Sequence, residues 1–385
     1  MKILAKGFIG ILIFFAVLIA ALYAFKVDYL INAVRITYLN GHKTAFLDDY
    51  NYFENRVIKK AMQPQPWNIS KKYNSVVTTE RLDTLNAKNG TVAYLIIKND
   101  SIQYEHYYDN YSKDSKSNSF SMAKSVVSAA LGKAIQEKKI KGLDQLVGDF
   151  IPEFSSGKAA GLTVGDLSSM ASGLNWDESY YSPFSVTTRA YFDKDLTSVI
   201  KNLKVTSTPG QSFIYLSGNT QLLAMVVEKA VGKSLADYVS EKFWQPMGAE
   251  NDALWQTDHK DGIVKAYCCI ASNARDFSRF GKLYKQYGKW EGKQILDSSF
   301  IATSIKPRFK DSPEYGYGWW LAKFKDKEVF YMRGHLGQYV IVIPEDNIII
   351  TRLGHRATPA KGEEHSSDFY IYIEEAYKML QKMKS

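Results

Sequence analysis

Residues 120–138, FSMAKSVVSAALGKAIQEK, restrict the folds open to this chain more than any other segment. Val126, Val127, Ala130, Leu131, Ala134 and Ile135 recur at helical spacing, and the apolar face they make is broad. The chain must therefore bury this helix beneath other elements. Ser121 and Lys124 stand at its first turn, three residues apart, so one lies above the other on the helix surface. A serine hydroxyl is a weak nucleophile until a neighbouring base takes its proton, and a lysine kept neutral by burial can be that base. The helix start adds unpaired backbone N–H groups beside the same oxygen.

Spacing alone does not single out this pair, because Ser155 with Lys158 and Ser198 with Lys201 repeat it. Context does. Ser155 falls in the turn-like SSGKAAG and Ser198 in the charged DKDLTSVIKNLK, whereas only Ser121 opens an apolar run.

The totals exclude several function classes. The net charge of +9 comes from 49 Lys and Arg against 40 Asp and Glu, scattered along the chain, which describes a solvated surface and not a nucleic-acid groove. The only cysteines, Cys268 and Cys269, are adjacent, so they form no disulfide framework and no C-x-x-C metal or redox pattern, and they are expected as packed core thiols. The six histidines include no H-E-x-x-H, and His355 and His365 with Glu363 and Glu364 read as a solvated loop. No metal or organic cofactor is expected.

Residues 7–25 carry no charge and at helical rise span about 28 Å, enough to cross a bilayer. Lys2 and Lys6 precede this run, which favours a cytoplasmic N-terminus with the remainder in the periplasm or exterior. The run is longer than the apolar region of most cleaved signals and no A-x-A closes it, so residues 1–26 are expected as a single-pass anchor or uncleaved signal. Residues 27–75, aromatic-rich and ending near Pro64-Gln-Pro66-Trp67, are expected as a connector, with the main domain over 76–385.

Within that domain 81–88 reads as a short helix, and 91–98 with 101–108 as a hairpin turning at Asn99-Asp100. Short helical pieces punctuated by Gly148, Pro152, Gly161, Gly165 and Gly173 suggest an inserted helical layer. Tyr215 and Ser217 stand just ahead of a second apolar helix that ends at Gly232. β-rich runs at 328–333, 338–343 and 348–353 predict an antiparallel meander, and 365–383 a closing helix. The expected fold class is α+β, with one antiparallel sheet built from both ends of the domain and flanked by helices.

Three marks stand in order: Ser121-Met-Ala-Lys124, Tyr215-Leu-Ser217, and His335-Leu-Gly337 leading a strand. Together with SGLNWDESYYSP, TPGQSFIYLSGNTQLLAMVVEKAVG and GHLGQYVIVIPEDN, they make the chain resemble the serine β-lactamase-related hydrolases. That group holds class C β-lactamases, D-alanyl-D-alanine carboxypeptidases, esterases and 6-aminohexanoate-dimer hydrolase. The resemblance implies a β-lactamase/transpeptidase-like fold, Ser121 as nucleophile, Lys124 as its base and Tyr215 as proton donor to the leaving group. It further implies oxyanion donors at the backbone N–H of Ser121 and Gln338, with Gly337 keeping the strand edge open, and substrate contacts from His335, Ser217 and Tyr180. Tyr181 is an equally simple alignment for the last of these.

Penicillin-recognising members usually carry Tyr-x-Asn and Lys-Thr-Gly, where this chain has Tyr215-Leu-Ser217 and His335-Leu-Gly337. The esterase and 6-aminohexanoate-dimer hydrolase branch is the nearer likeness. The sequence thus implies a membrane-anchored serine hydrolase that cleaves a small ester or amide through an acyl-enzyme. Two alternatives stand beside it: a non-catalytic periplasmic domain that binds or senses peptidoglycan, and a penicillin-binding D-alanyl-D-alanine carboxypeptidase or β-lactamase.

Overall fold

The computed structural model describes residues 2–360 and 362–383. Helix α1 (Lys2–Ala24) is apolar after Lys6, and residues 6–24 are unburied and form a stretch long and apolar enough to cross a membrane. Only four residues separate it from α2 (Tyr29–Ile36), which folds back onto the main body. There the Tyr29 hydroxyl donates to the Pro183 carbonyl at 2.9 Å, and Asn32 Nδ2 donates to the Phe192 carbonyl at 3.2 Å.

The stretch expected as a connector carries structure of its own. It supplies β1 (Asn55–Ile58) to a small sheet and β2 (Asn68–Ile69) to the edge of the large one. Helix α3 (Glu80–Asn89) starts where the Thr79 hydroxyl accepts from the Leu82 N–H, and stops at Gly90, whose φ of 53° only glycine adopts freely. Strands β3 (Thr91–Lys98) and β4 (Ser101–Tyr107) follow as a hairpin. Its turn residues Asn99 and Asp100 have φ of 50° and 57°, the left-handed pair that matches strand twist.

Next come β5 (Ser117–Asn118) and the buried helix α4 (Ala123–Gln136). The inserted layer holds α5 (Val164–Ser168), α6 (Val186–Phe192), α7 (Leu196–Lys201), α8 (Ser217–Val231) and α9 (Leu235–Val239). Strands β6 (Ala253–Gln256) and β7 (Ile270–Ser272) join β1 and β5 in the small sheet, in the order β1-β6-β7-β5. Helix α10 (Ala274–Lys285), the short hairpin β8 (Lys289–Trp290) and β9 (Lys293–Gln294), and α11 (Ser298–Ser304) lead to the C-terminal meander. That meander is β10 (Trp320–Phe324), β11 (Lys327–Gly334), β12 (Gln338–Ile343) and β13 (Ile348–Gly354), closed by α12 (Ser367–Lys382).

The large sheet runs β10-β11-β12-β13-β3-β4-β2, antiparallel except where β2 meets β4, so it is built from both ends of the domain as expected. Every residue of β12 and β13 is buried, which fits their unbroken apolar reading and a sheet covered on both faces. One face packs on α12 and α3 through Phe369, Tyr372, Leu82 and Leu85, and the other on the main core around α4, α8 and α10. Cys268 and Cys269 are joined in a disulfide, a correction to the expectation of free thiols. Adjacency ruled out a framework of cross-links but not this one bond between neighbours.

Candidate active site

Ser121 sits in a short 3₁₀ turn that runs into α4. Phe120 before it has a φ of 45°, a left-handed conformation that costs a bulky residue energy and has to be imposed by its surroundings. The restraints are present. Asn118 Oδ1 accepts from the Phe120 N–H at 2.8 Å, the Ser119 N–H donates to the Ile270 carbonyl at 2.7 Å, and Ser119 Oγ donates to the Phe120 carbonyl at 3.0 Å. The small sheet thus holds the nucleophile's turn in place.

Lys124 is buried, and its Nζ lies 2.9 Å from Ser121 Oγ, 3.1 Å from Ser217 Oγ and 2.9 Å from the Tyr267 carbonyl. Burial disfavours the ammonium and brings its pKa down to about 8, against an upward pull from the Glu178 carboxylate. A neutral amine at this point presents its lone pair to one of its three partners, and only the two hydroxyls can donate to it.

Tyr215, just before α8, packs its ring on Trp320 at 5.3 Å between centres, with Lys124 Nζ 5.0 Å from its own ring centre. Burial raises the phenol's pKa, and the bond to Ser121 and the charge of Arg333 only partly offset this. Tyr215 is therefore a neutral phenol with a proton to give. Ser217 opens α8, and its hydroxyl donates to Glu178 Oε1 at 2.6 Å while its N–H donates to Glu178 Oε2, also at 2.6 Å.

Glu178 was missed from sequence. It stands in the loop DESYY, which has no periodicity, and the available hint was an acid two residues before a tyrosine already singled out. The same carboxylate accepts from the Tyr180 hydroxyl at 2.6 Å. Both tyrosines border a broad cavity; Tyr180, 37% exposed, also stacks on His335 at 5.3 Å, while Tyr181, 75% exposed, makes no such contact among the described residues. His335 also meets the edge of Phe120, burial brings its pKa down to about 4, and its Nε2 has no partner among the described residues. It is uncharged at neutral pH.

The third motif lies differently from its expected use. Gln338 is fully buried, and its side chain donates to the His335 and Gly354 carbonyls, away from the cleft. Its backbone pairs with Gly334 across the β11–β12 turn. In an antiparallel ladder the N–H and C=O of one residue point to the same side, and sides alternate along the strand. The Leu321 N–H donates to the Glu314 carbonyl, so Trp320 faces β11 and its partner Tyr331 faces β10. By alternation Phe330, Met332 and Gly334 face β12, and Arg333 faces the β10 side, beyond the point where β10 begins. By the same alternation the N–H groups of Arg333 and His335 face this open edge, and that of Gln338 is spent in the hairpin.

Glycine is needed at two positions here, neither for an open strand edge at Gly337. Gly337 has a φ of 79° and a Cβ there would lie 2.7 Å from Arg352 Nη1, so it serves the turn. Gly334 is the point of close approach, since its Cβ would meet the Ser119 carbonyl at 2.2 Å. Of the nearby arginines, Arg352 is locked to the Leu336, Gly337 and Asn89 carbonyls. Arg333 faces the cleft, with one bond to the Glu364 carbonyl, its guanidinium 4.8 Å from the Trp320 ring centre, and no ion pair among the described residues.

Two cavities meet at Ser121, Tyr180 and His335. The broad one, about 620 Å³, adds Tyr215, Trp320, Arg333 and Arg356. The narrow one, about 50 Å³, adds Ser217, Tyr267 and a wall from α6.

The beta-lactamase family model matches residues 59–371. The 6-aminohexanoate-dimer hydrolase of Paenarthrobacter ureafaciens is 23% identical over 307 residues, covering 74% of this chain and 77% of that protein. Among solved structures, a Bacillus anthracis protein assigned as a 6-aminohexanoate-dimer hydrolase superposes with a TM-score of 0.74 at 23% identity, covering 88% of this chain and 94% of that one. EstCE1, a hydrolase with promiscuous acyltransferase activity, superposes with a TM-score of 0.61 at 15% identity, covering 78% and 97%. These structural likenesses are likenesses of fold.

Proposed function

Because the chain belongs to the beta-lactamase family, we propose that it is a membrane-anchored serine hydrolase that cleaves a small ester or amide through an acyl-enzyme. The observation that carries this reading is Lys124 Nζ, 2.9 Å from Ser121 Oγ in a site whose burial favours the neutral amine. In the neutral form Lys124 takes the Ser121 proton as Oγ attacks the carbonyl carbon. The resulting oxyanion is held by the backbone N–H of Ser121 and one from the open β11 edge, where the N–H groups of Arg333 and His335 face. Tyr215 then gives its proton to the leaving group as the carbon–heteroatom bond breaks, and recovers one from the Lys124 ammonium. Water attacks the acyl-enzyme by the same route in reverse, restoring Ser121. Ser217 and Glu178 position Lys124, and Tyr180 with His335 forms the wall over the carbonyl.

A binding or sensing role has no use for Ser121, Lys124 and Tyr215 held together in this way. A penicillin-directed role needs groups for a β-lactam carboxylate, and at the third motif neutral His335 and apolar Leu336 replace the charge and hydroxyl of Lys-Thr-Gly, leaving Arg333 and Arg356 as the cations that border the cleft. Losing a charge-assisted and a neutral hydrogen bond weakens recognition by about 2 to 4 kcal/mol, or about thirty- to a thousandfold. The exposed helix α1, with Lys2 and Lys6 in its first turns, supports anchoring in the cytoplasmic membrane with the catalytic domain in the periplasm or exterior. Steady-state kinetics with p-nitrophenyl butyrate and a penicillin test the reading. The ester should have the higher kcat/KM, and an equal or higher value for the penicillin would move the chain to the penicillin-directed branch.

A further inference from the structure

The two arms of the cleft divide a substrate between them. Ser121 borders both, but Tyr215 borders only the broad arm. A group that protonates the leaving group must touch it. The broad arm, with Trp320, Arg333 and Arg356, therefore takes the leaving group, and the narrow arm receives the acyl side. Two walls shape the narrow arm. One is α6, through Thr187, Thr188, Tyr191 and Phe192, and the other is Thr44 with Ala45, which lie before the stretch matched by the family model. Among the described residues no Lys, Arg, Asp or Glu lines it.

We propose that the narrow arm is an acyl-chain subsite for a short, uncharged group, and that the segment between α1 and the main domain sets its depth. The assignment rests on the hydrolase reading above. A single water needs at least about 10–15 Å³ of such space, so a cavity of about 50 Å³ is small and takes a short chain only. A butyryl chain fits and an octanoyl chain does not.

The outer wall is fixed to the nucleophile's own support. Buried Asp49 accepts from the Phe46 N–H at 3.3 Å, Asn118 Nδ2 at 2.9 Å, Gln256 Nε2 at 2.9 Å and the Tyr191 hydroxyl at 2.6 Å. The Asn118 N–H in turn donates to the Leu47 carbonyl at 2.8 Å. Asn118 is the residue that also restrains Phe120 beside Ser121. Wall and nucleophile thus share one clamp.

The test is a chain-length series on the full-length protein in nanodiscs, using p-nitrophenyl acetate, butyrate, hexanoate and octanoate. The wild type should peak at butyrate and fall at least tenfold by octanoate. Ala45→Trp, which fills the arm, should lower butyrate at least tenfold relative to acetate. Phe192→Ala, which opens it, should raise octanoate at least tenfold relative to butyrate, and it decides the matter alone if Ala45→Trp does not fold. Octanoate turnover equal to butyrate in the wild type, or one profile shared by all variants, overturns the assignment. Intact-mass analysis of the same samples separates the two levels. Acyl-Ser121 with a flat profile removes only the subsite, whereas no turnover and no adduct removes the hydrolase reading and the subsite with it.

Discussion

Glu178→Gln probes the electrostatics of the site directly, because it removes one charge and keeps the shape. Ser217 Oγ lies 3.1 Å from Lys124 Nζ and 2.6 Å from Glu178 Oε1, so the amine and the carboxylate are at most about 5.7 Å apart. Over that distance two unit charges attract by about 3 kcal/mol at an effective dielectric of 20 and about 0.7 kcal/mol at that of water. Those energies correspond to about 2 and 0.5 pKa units. A nearby negative charge stabilises the ammonium, so its loss lowers the Lys124 pKa further below its present value of about 8. The base is the neutral amine, which accumulates as pH rises through that pKa. The rising limb of kcat/KM against pH for p-nitrophenyl butyrate should therefore move to lower pH by about 0.5 to 2 units in the variant. Steady-state kinetics from pH 5 to 10 measure it. A limb that stays in place, or moves upward, refutes Lys124 as the titrating base or Glu178 as its electrostatic neighbour.

Lys124→Ala should lower acylation by about a thousandfold with the fold retained, since an activating base contributes more to rate than to packing, and circular dichroism with stopped-flow acylation checks both. His335 has a folded pKa of about 4, below its unfolded value, so the unfolded chain binds the proton first on acidification. The stability it contributes is present above about pH 6.5 and is lost as pH falls through about 4. His335→Phe, which keeps the stack on Tyr180, should remove on the order of 2 kcal/mol of that acid sensitivity in urea melts at pH 7 and pH 4. Deleting residues 1–26 should release the protein from membranes with activity intact, because the window 6–24 contributes nothing buried, and activity found only in the membrane fraction would refute this.

Much of the site was legible where chemistry coincides with periodicity. Ser121 and Lys124 open a helix whose apolar stripe is unmistakable, and Tyr215 and Ser217 stand at the mouth of another. The sheet could be read because its strands are short, β-branched and separated by turns, and the Asn99-Asp100 turn marks its own hairpin. What could not be read depends on which way a backbone or a loop faces. Gln338 lies just past the turn from the β11 edge, and only the ladder's alternation shows that its N–H turns into the hairpin while those of Arg333 and His335 face outward. Glu178 acts from a loop without pattern, and Thr44 and Ala45 reach the cleft because Asp49 ties their segment to Asn118. The linkage of Cys268 to Cys269 goes with a left-handed Cys269, φ 79°, a backbone turn that adjacency in sequence does not reveal.

The most direct test of the central claim is the intact mass of the full-length protein after exposure to a fluorophosphonate, followed by peptide mapping. One adduct on Ser121 in the wild type, and none in Ser121→Ala, is the expected result. An unlabelled wild type, a label on another residue, or labelling that persists in Ser121→Ala would contradict it.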